Sequence, residues 1–278
     1  MANFKRQMQG GTLVAAGPLR PNSNRANTAQ AASYWRGGGP NFPDLVEYLV
    51  VAGGAGGGGN AAAPGGGGAG GARTGNLAIN GGAALTVTVG GGGAGFAYGS
   101  GSQFGSISST GGGVGGSGNG GGGAGGSGGG GSNTSGAGTS PGGAGNAGGY
   151  TPSEGSNGGS GSSDDNTYRQ GGSGGSKNLV SSITGTSVTY ANGGDPGGNY
   201  TNNQTGARAA NTGHGGHAAS PYYNNFDPDA GGSGIVVISY ADSFDNLTSV
   251  AAGLSYTLTL SGGKKIYKFT SGTGTVVV

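Results

Sequence analysis

Two short apolar runs stand out along the chain. Val46-Glu47-Tyr48-Leu49-Val50-Val51-Ala52 stops at glycine, and Ile235-Val236-Val237-Ile238-Ser239-Tyr240 begins after one, Gly234. Runs of this length bounded by glycine read as buried strands. They bracket a glycine-rich body, so the chain is expected to leave a platform at the first strand and return to it at the second, where the two pair. Inside the body, Leu85–Val89 and Ser187–Tyr190 alternate polar and apolar with the strand period of two. Phe104–Ser108 and Leu179–Ile183 read as weaker strands. After Asp242 the alternation is regular. Ser255–Leu260 and Lys265–Thr270 flank a Ser261-Gly262-Gly263 turn, and Ser271–Gly274 reads as a second turn into Thr275–Val278. That pattern predicts a three-stranded meander.

Composition sharpens this picture. The 278 residues include 77 glycines and 10 prolines, together 87 of 278, and only 8% are charged. So much glycine and proline points to disorder, but the charge repulsion that usually drives disorder is missing. The strand islands recurring through the body also argue against a flexible Gly/Ser linker. With 31% hydrophobic residues, much of that alanine, apolar burial cannot carry the fold alone, so the backbone itself must supply contacts. Glycine spacing is too irregular for collagen. Fragments of period three do occur: Val114 and Ser117, Ala124 and Ser127. Period three fits a left-handed extended helix with no internal hydrogen bonds, rising about 3.1 Å per residue, or ~25 Å for eight residues. Its peptide groups must find partners on neighbouring chains, and only glycine lets backbones approach that closely. The expected fold class is mainly β and irregular, with almost no α-helix. It comprises a body of packed polyglycine-II helices with short strands, followed by the β-meander.

The expected organisation is an arm at 1–45, a glycine-rich domain at 46–240 and a C-terminal β element at 241–278. The arm carries Lys5, Arg6, Arg20, Arg25, Arg36 and the single tryptophan, Trp35. Its prolines forbid long regular elements, leaving room for a short helix around 27–34. It reads as a segment that docks onto another protein, with Arg6, Arg20, Arg25 and Trp35 as attachment candidates. The N-terminus shows no secretory signal and no stretch reaches a membrane span, so neither export nor membrane insertion is expected. A net charge of +2 argues against nucleic-acid binding, and the absence of cysteine removes disulfides and thiolate metal sites.

Candidate chemistry is sparse. With glycine this frequent, G-x-G-x-x-G matches carry no weight, and no phosphate-loop lysine motif is present. No catalytic residues and no cofactor are expected, and the chain reads as a non-enzyme. His214 and His217 form H-x-x-H. A metal would need a further ligand such as Asp195, Asp227 or Asp229, and two ordinary loop histidines are the plainer reading. Aromatic loops are the better binding candidates. Phe96 and Tyr98 lie in one. Tyr150 and Tyr168 flank a second, with Glu154, Asp164, Asp165 and Arg169. Tyr200, Tyr222, Tyr223 and Phe226 lie in a third with Asn199, Asn202, Asn203, Asn224 and Asn225. Tyrosine among Asn, Ser and Gly is the composition of adaptable binding loops. The bland alternative is that these rings cap glycine helices or fill small loop cores.

Ordered landmarks carry a family resemblance. VEYLVVAGGAGGGG (46–59), LTVTVGGGGAG (85–95), GSQFGSISSTGGG (101–113), VSSITGTSVTYANGG (180–194) and GGSGIVVISY (231–240) resemble, in order, a glycine-rich domain common in phage tail proteins. LTLSGGKKIYKFTSGTGTVVV (258–278) resembles the hairpin that often follows it. The chain is also similar to the polyglycine-II receptor-binding adhesins of T-even-type phage long tail fibres, in which loops at one end of the sandwich contact the receptor. Between Asn192 and Ala230 the chain departs from the near-pure glycine of such relatives. The resemblance implies a virion protein, made in the host cytoplasm, that attaches to other tail proteins through its arm. Its loops would contact a bacterial surface protein or polysaccharide. The receptor-contact candidates are Tyr98, Tyr150, Tyr168, Tyr200, Tyr222, Tyr223, Phe226 and Asn224. Fibres favour threefold symmetry, so a homotrimer is one expectation; a tip adhesin can act as a single copy. The alternative is a purely structural virion component, such as a fibre shaft, baseplate, collar or capsid-surface decoration.

Overall fold

The two apolar runs pair with each other, as their positions predict. The computed structural model describes residues 7–9, 12–14, 41–133, 139–163, 169–198, 208–219 and 227–278. Its strands are β1 (Gln7–Gln9), β2 (Thr12–Val14), β3 (Leu45–Val51), β4 (Ala72–Ala78), β5 (Ala84–Val89), β6 (Ser102–Phe104), β7 (Ile107–Ser109) and β8 (Ser162–Ser163). They continue with β9 (Arg169–Gln170), β10 (Leu179–Ser181), β11 (Val188–Tyr190), β12 (Ile235–Ala241), β13 (Ser249–Val250), β14 (Leu254–Ser261) and β15 (Lys264–Val277). No α-helix occurs among the described residues. The chain divides into Met1–Asn41 and Phe42–Val278. In the first unit β1 and β2 pair antiparallel, with Gln7 opposite Val14. The helix expected around 27–34, and Arg6, Arg20, Arg25 and Trp35, lie outside the described residues.

In the second unit one antiparallel sheet runs in the order β4-β3-β12-β15-β5-β6-β7. Val50 lies opposite Val236 and Tyr48 opposite Ile238. β3 and β12 are covered on both faces, which is why their apolar runs are continuous. Val46, Tyr48, Val50, Val236, Ile238 and Tyr240 face one core with Val87, Phe104, Tyr267 and Phe269. Leu49, Val51, Ile235 and Val237 face a second core with Ile183, Tyr190 and Ala191 from the β10–β11 hairpin.

β15 is the spine, and here the structure departs from the expected meander. The Ser271–Gly274 turn does not form; β15 runs unbroken through it. Its first part is bordered by β12 and β14, its second by β5 and β13. No turn is made here, yet glycine is required, by a φ of 98° at Gly272 and by close approach. A Cβ on Gly272 would lie 1.9 Å from the Gly253 carbonyl oxygen, and one on Gly274 2.7 Å from the Ala251 Cβ. Phe104–Ser108, read as one strand, is a hairpin: Gly105 takes φ 55° and turns β6 into β7. The sequence pattern predicts no strand at β4. As an edge strand it alternates half-buried and exposed residues and has no apolar run. The two ends of the sheet path meet where Arg73 on β4 donates from its guanidinium to the Ser108 carbonyl of β7 at 2.9 Å, leaving the sheet nearly closed.

The glycine body forms the predicted polyglycine-II array. In segment 53–58 the N–H groups take three directions in rotation. Gly53 and Gly56 donate to Ser100 and Ala97, Gly54 and Gly57 to Gly232 and Asp229, Ala55 and Gly58 to Gly68 and Gly65. The carbonyls do the same. Gly53 and Gly56 accept from Gly112 and Gly115, Gly54 and Gly57 from Gly93 and Phe96, Ala55 and Gly58 from Gly216 and Ala219. These bonds span 2.7–3.2 Å. A bond to the same neighbour at every third residue is the three-residue period of polyglycine II. Each helix can thus bond six neighbours: here three antiparallel through its N–H groups and three parallel through its carbonyls. Residues 51–59 and 63–72 are buried throughout. This is a core of peptide groups, satisfied as burial demands.

Candidate functional site

The array has two ends. At one, helices enter strands: 52–58 follows β3, 65–71 leads into β4, and 229–234 leads into β12. At the other they turn back. The C-terminal ends of helices running parallel to 52–58 come together there. Gly59 donates its N–H to the Ser117 hydroxyl at 3.1 Å, and a Cβ on Gly59 would lie 2.8 Å from the Phe96 ring and 3.5 Å from the Ala219 Cβ. Ala63 bridges to Asn133, Gln170 bridges to Gly198, and Gly197 donates to the Pro64 carbonyl at 2.9 Å. Asn133, Gly198 and Ala219 adjoin segments outside the described residues, and with Gln170 they lie at this turning end.

A charged cluster sits close to it. His214 and His217 are three apart, which matches the helix period, so both imidazoles point at the same neighbour, the helix 192–198. There each accepts a backbone N–H at Nδ1, His214 from Asn192 at 3.0 Å and His217 from Asp195 at 3.2 Å. The imidazoles thus stand in for carbonyls in the lattice. His217 Nδ1 is also 3.1 Å from an Arg208 guanidinium nitrogen and 3.2 Å from an Asp195 carboxylate oxygen. An Nδ1 that accepts must be unprotonated, so the ring proton belongs on Nε2. Burial holds both histidines below the ordinary imidazole value and Arg208 lowers them further, while Asp195 and Asp229 pull His217 back up. Burial also lowers Arg208, and the same two carboxylates oppose it. The Nδ1 lone pairs are occupied by backbone donors. Among the described residues no three His, Cys, Asp or Glu side chains gather as a metal would require.

Tyr98 and Tyr150, the receptor-contact candidates among the described residues, are not brought together, and the Phe96 ring packs over Gly59. Tyr98 follows the Ala94–Ala97 turn, is 57% exposed, and lays its hydroxyl over Gly123. Tyr150 lies at the sheet end, with the Arg73 guanidinium 4.1 Å above its ring. Asn146 bonds both its backbone N–H and its carbonyl. Tyr168, Tyr200, Tyr222, Tyr223, Asn224 and Phe226 lie outside the described residues. Sequence reasoning missed Arg208 as a partner of the histidines. Glu154, expected among the polar residues of the second aromatic loop, is instead fully buried, and its carboxylate accepts the Thr110 N–H at 2.9 Å. The three-residue spacing of the histidines, equal to the glycine-helix period, is the signal that could have found Arg208's partners. Nothing in the sequence marks Glu154 as buried.

A family model described as a glycine-rich domain matches residues 31–241. No curated protein and no solved structure matches the chain.

Proposed function

The chain belongs to the glycine-rich domain family, and from that premise we propose that it is a bacteriophage tail-fibre or tail-tip protein whose glycine array presents recognition loops to the host surface. The observation that carries this reading is the turning end of the array. Gly198 and Ala219, from which two of the Tyr- and Asn-rich segments depart, share that one end, opposite the sheet. A rigid scaffold with its variable chemistry at one end suits recognition of a large surface. Tyr200, Tyr222, Tyr223, Phe226 and Asn224 are the contact residues of this reading, with a bacterial surface protein or polysaccharide as partner. The N-terminal segment, with Arg6, Arg20, Arg25 and Trp35, attaches the protein to the rest of the tail. The role is non-catalytic.

The test is to exchange residues 195–230 for the corresponding segment of another glycine-rich domain and measure adsorption to host cells. The reading expects adsorption to follow the donor segment. Host range unchanged by the exchange, in a variant that keeps the wild-type far-UV spectrum, overturns it. A second reading, a purely structural virion component without receptor contact, draws on the free edge of β14 and would leave adsorption indifferent to this segment.

A further inference from the structure

The sheet has one edge that nothing in the described structure guards. β4 and β7 are joined through Arg73, but β14 pairs with β15 on one side and has no backbone partner on the other among the described residues. Gly262 and Gly263 both have positive φ, 58° and 72°, the mark of a tight type I′ hairpin. In that turn Ser261 and Lys264 exchange hydrogen bonds, so by alternation the peptide groups of Leu260 and Leu258 point away from β15. All of β14 after Leu254 is exposed. Tyr256, Leu258 and Leu260 are 44%, 39% and 65% exposed.

This apolar stripe extends the core. Tyr256 lies opposite Phe269 and Leu258 opposite Tyr267. On the other side of β15 the same residues lie opposite Val236 and Ile238. An aromatic row crosses these strands: Tyr240 to Tyr267 at 6.0 Å, Tyr267 to Tyr256 at 6.0 Å, Tyr256 to Phe269 at 5.7 Å. The buried face therefore runs out to the rim of the sheet and stops at an open edge. Natural sheets protect such edges with charge, proline or a covering segment. β14 reads LSYTLTLS, with no charge and no proline.

We propose that β14 is a self-association edge, on which two copies of the chain pair their β14 strands antiparallel about a two-fold axis at Leu258. Its polarity pattern is a palindrome about that residue. The axis sets Leu258 against its own copy, Tyr256 against Leu260, Thr257 against Thr259 and Ser255 against Ser261. Every pair joins like with like, and both apolar stripes fall on one face, the self-complementarity an isologous contact requires. Charge points to the same occupant. A neutral edge meets its own copy without repulsion, whereas a basic or acidic partner strand would find no countercharge along it.

The test uses the full chain in sedimentation equilibrium. The wild type is expected to be a reversible dimer. Leu258→Lys, which sets two ammonium groups against each other at the axis, should weaken the dimer more than about tenfold. Val180→Lys, a control at another exposed apolar site, should not. The chain has no cysteine, so Leu258→Cys provides an independent register reading. Residues paired on the axis have Cα atoms about 5.5 Å apart, within disulfide reach. Oxidised Leu258→Cys should therefore form a covalent dimer in higher yield than Leu260→Cys, which faces Tyr256 of the other copy. A monomeric wild type, an assembly of odd order, a dimer indifferent to Leu258→Lys, or equal cross-linking of the two cysteine variants overturns the proposal.

Discussion

At the residue scale, the absence of a side chain matters as much as its presence. Gly67 donates its N–H to Gly216 and accepts from Gly194. A Cβ there would lie 2.4 Å from the Ala55 carbonyl oxygen and 2.6 Å from that of Gly56. Backbone atoms of a packed helix cannot swing aside as a side-chain tip can. Gly67→Ala should therefore cost at least the upper end of the about 1–3 kcal/mol typical of overpacking, read by urea denaturation. Gly91 is the counter-case: nothing lies within 4 Å of its Cβ position and its φ is not positive. Gly91→Ala should be neutral or add up to about 1 kcal/mol, because alanine restricts the unfolded chain. The histidines make a pH prediction. Both folded imidazoles lie below the ordinary value of 6.5, so between that value and their lowered pKa the unfolded chain binds more protons. Stability then rises with pH across this window. It is fully present above about 6.5 and is lost as pH falls through the folded values. Denaturation midpoints from pH 4 to 8 should show this slope, and His214→Asn/His217→Asn should flatten it.

At the element scale, the legible elements were those with a clean period. β3, β5, β12 and β14 announce themselves by apolar runs or strict alternation, and the pairing of β3 with β12 followed from their positions around the body. β4 was illegible because an edge strand carries its meaning in partners. Its Gly75 leaves room for the Tyr48 ring, and its Arg73 spans to β7. β15 misled for a different reason. Gly272 and Gly274 look like turn residues, and only the three-dimensional neighbours Gly253 and Ala251 reveal that they are strand glycines. The Arg73 closure is testable. Arg73→Ala removes a charged hydrogen bond to Ser108 and the contact over Tyr150, and should cost about 2–3 kcal/mol. Amides of β7 should then exchange faster while those of β12 do not.

At the scale of the whole molecule, two kinds of core lie side by side: apolar side chains around the sheet, and hydrogen-bonded peptide groups in the array. The second was legible in outline, since period-three fragments in a glycine background point to polyglycine II. The number and neighbours of the helices were not, because glycine carries no side chain to encode who sits beside whom. The same holds for the candidate site. Tyrosines and asparagines can be counted in the sequence, but Tyr150 beneath Arg73 and His217 bonded into the lattice are products of the packing. The glycine helices are a cooperative core rather than a flexible linker draped on a sheet. Amide hydrogen exchange resolved to single residues tests this most directly. Gly53, Gly54, Gly56, Gly57, Gly66 and Gly67 should exchange as slowly as Val236 and Val237 of β12, through the same global opening. Glycine amides that exchange at unprotected rates while β12 stays protected would contradict it.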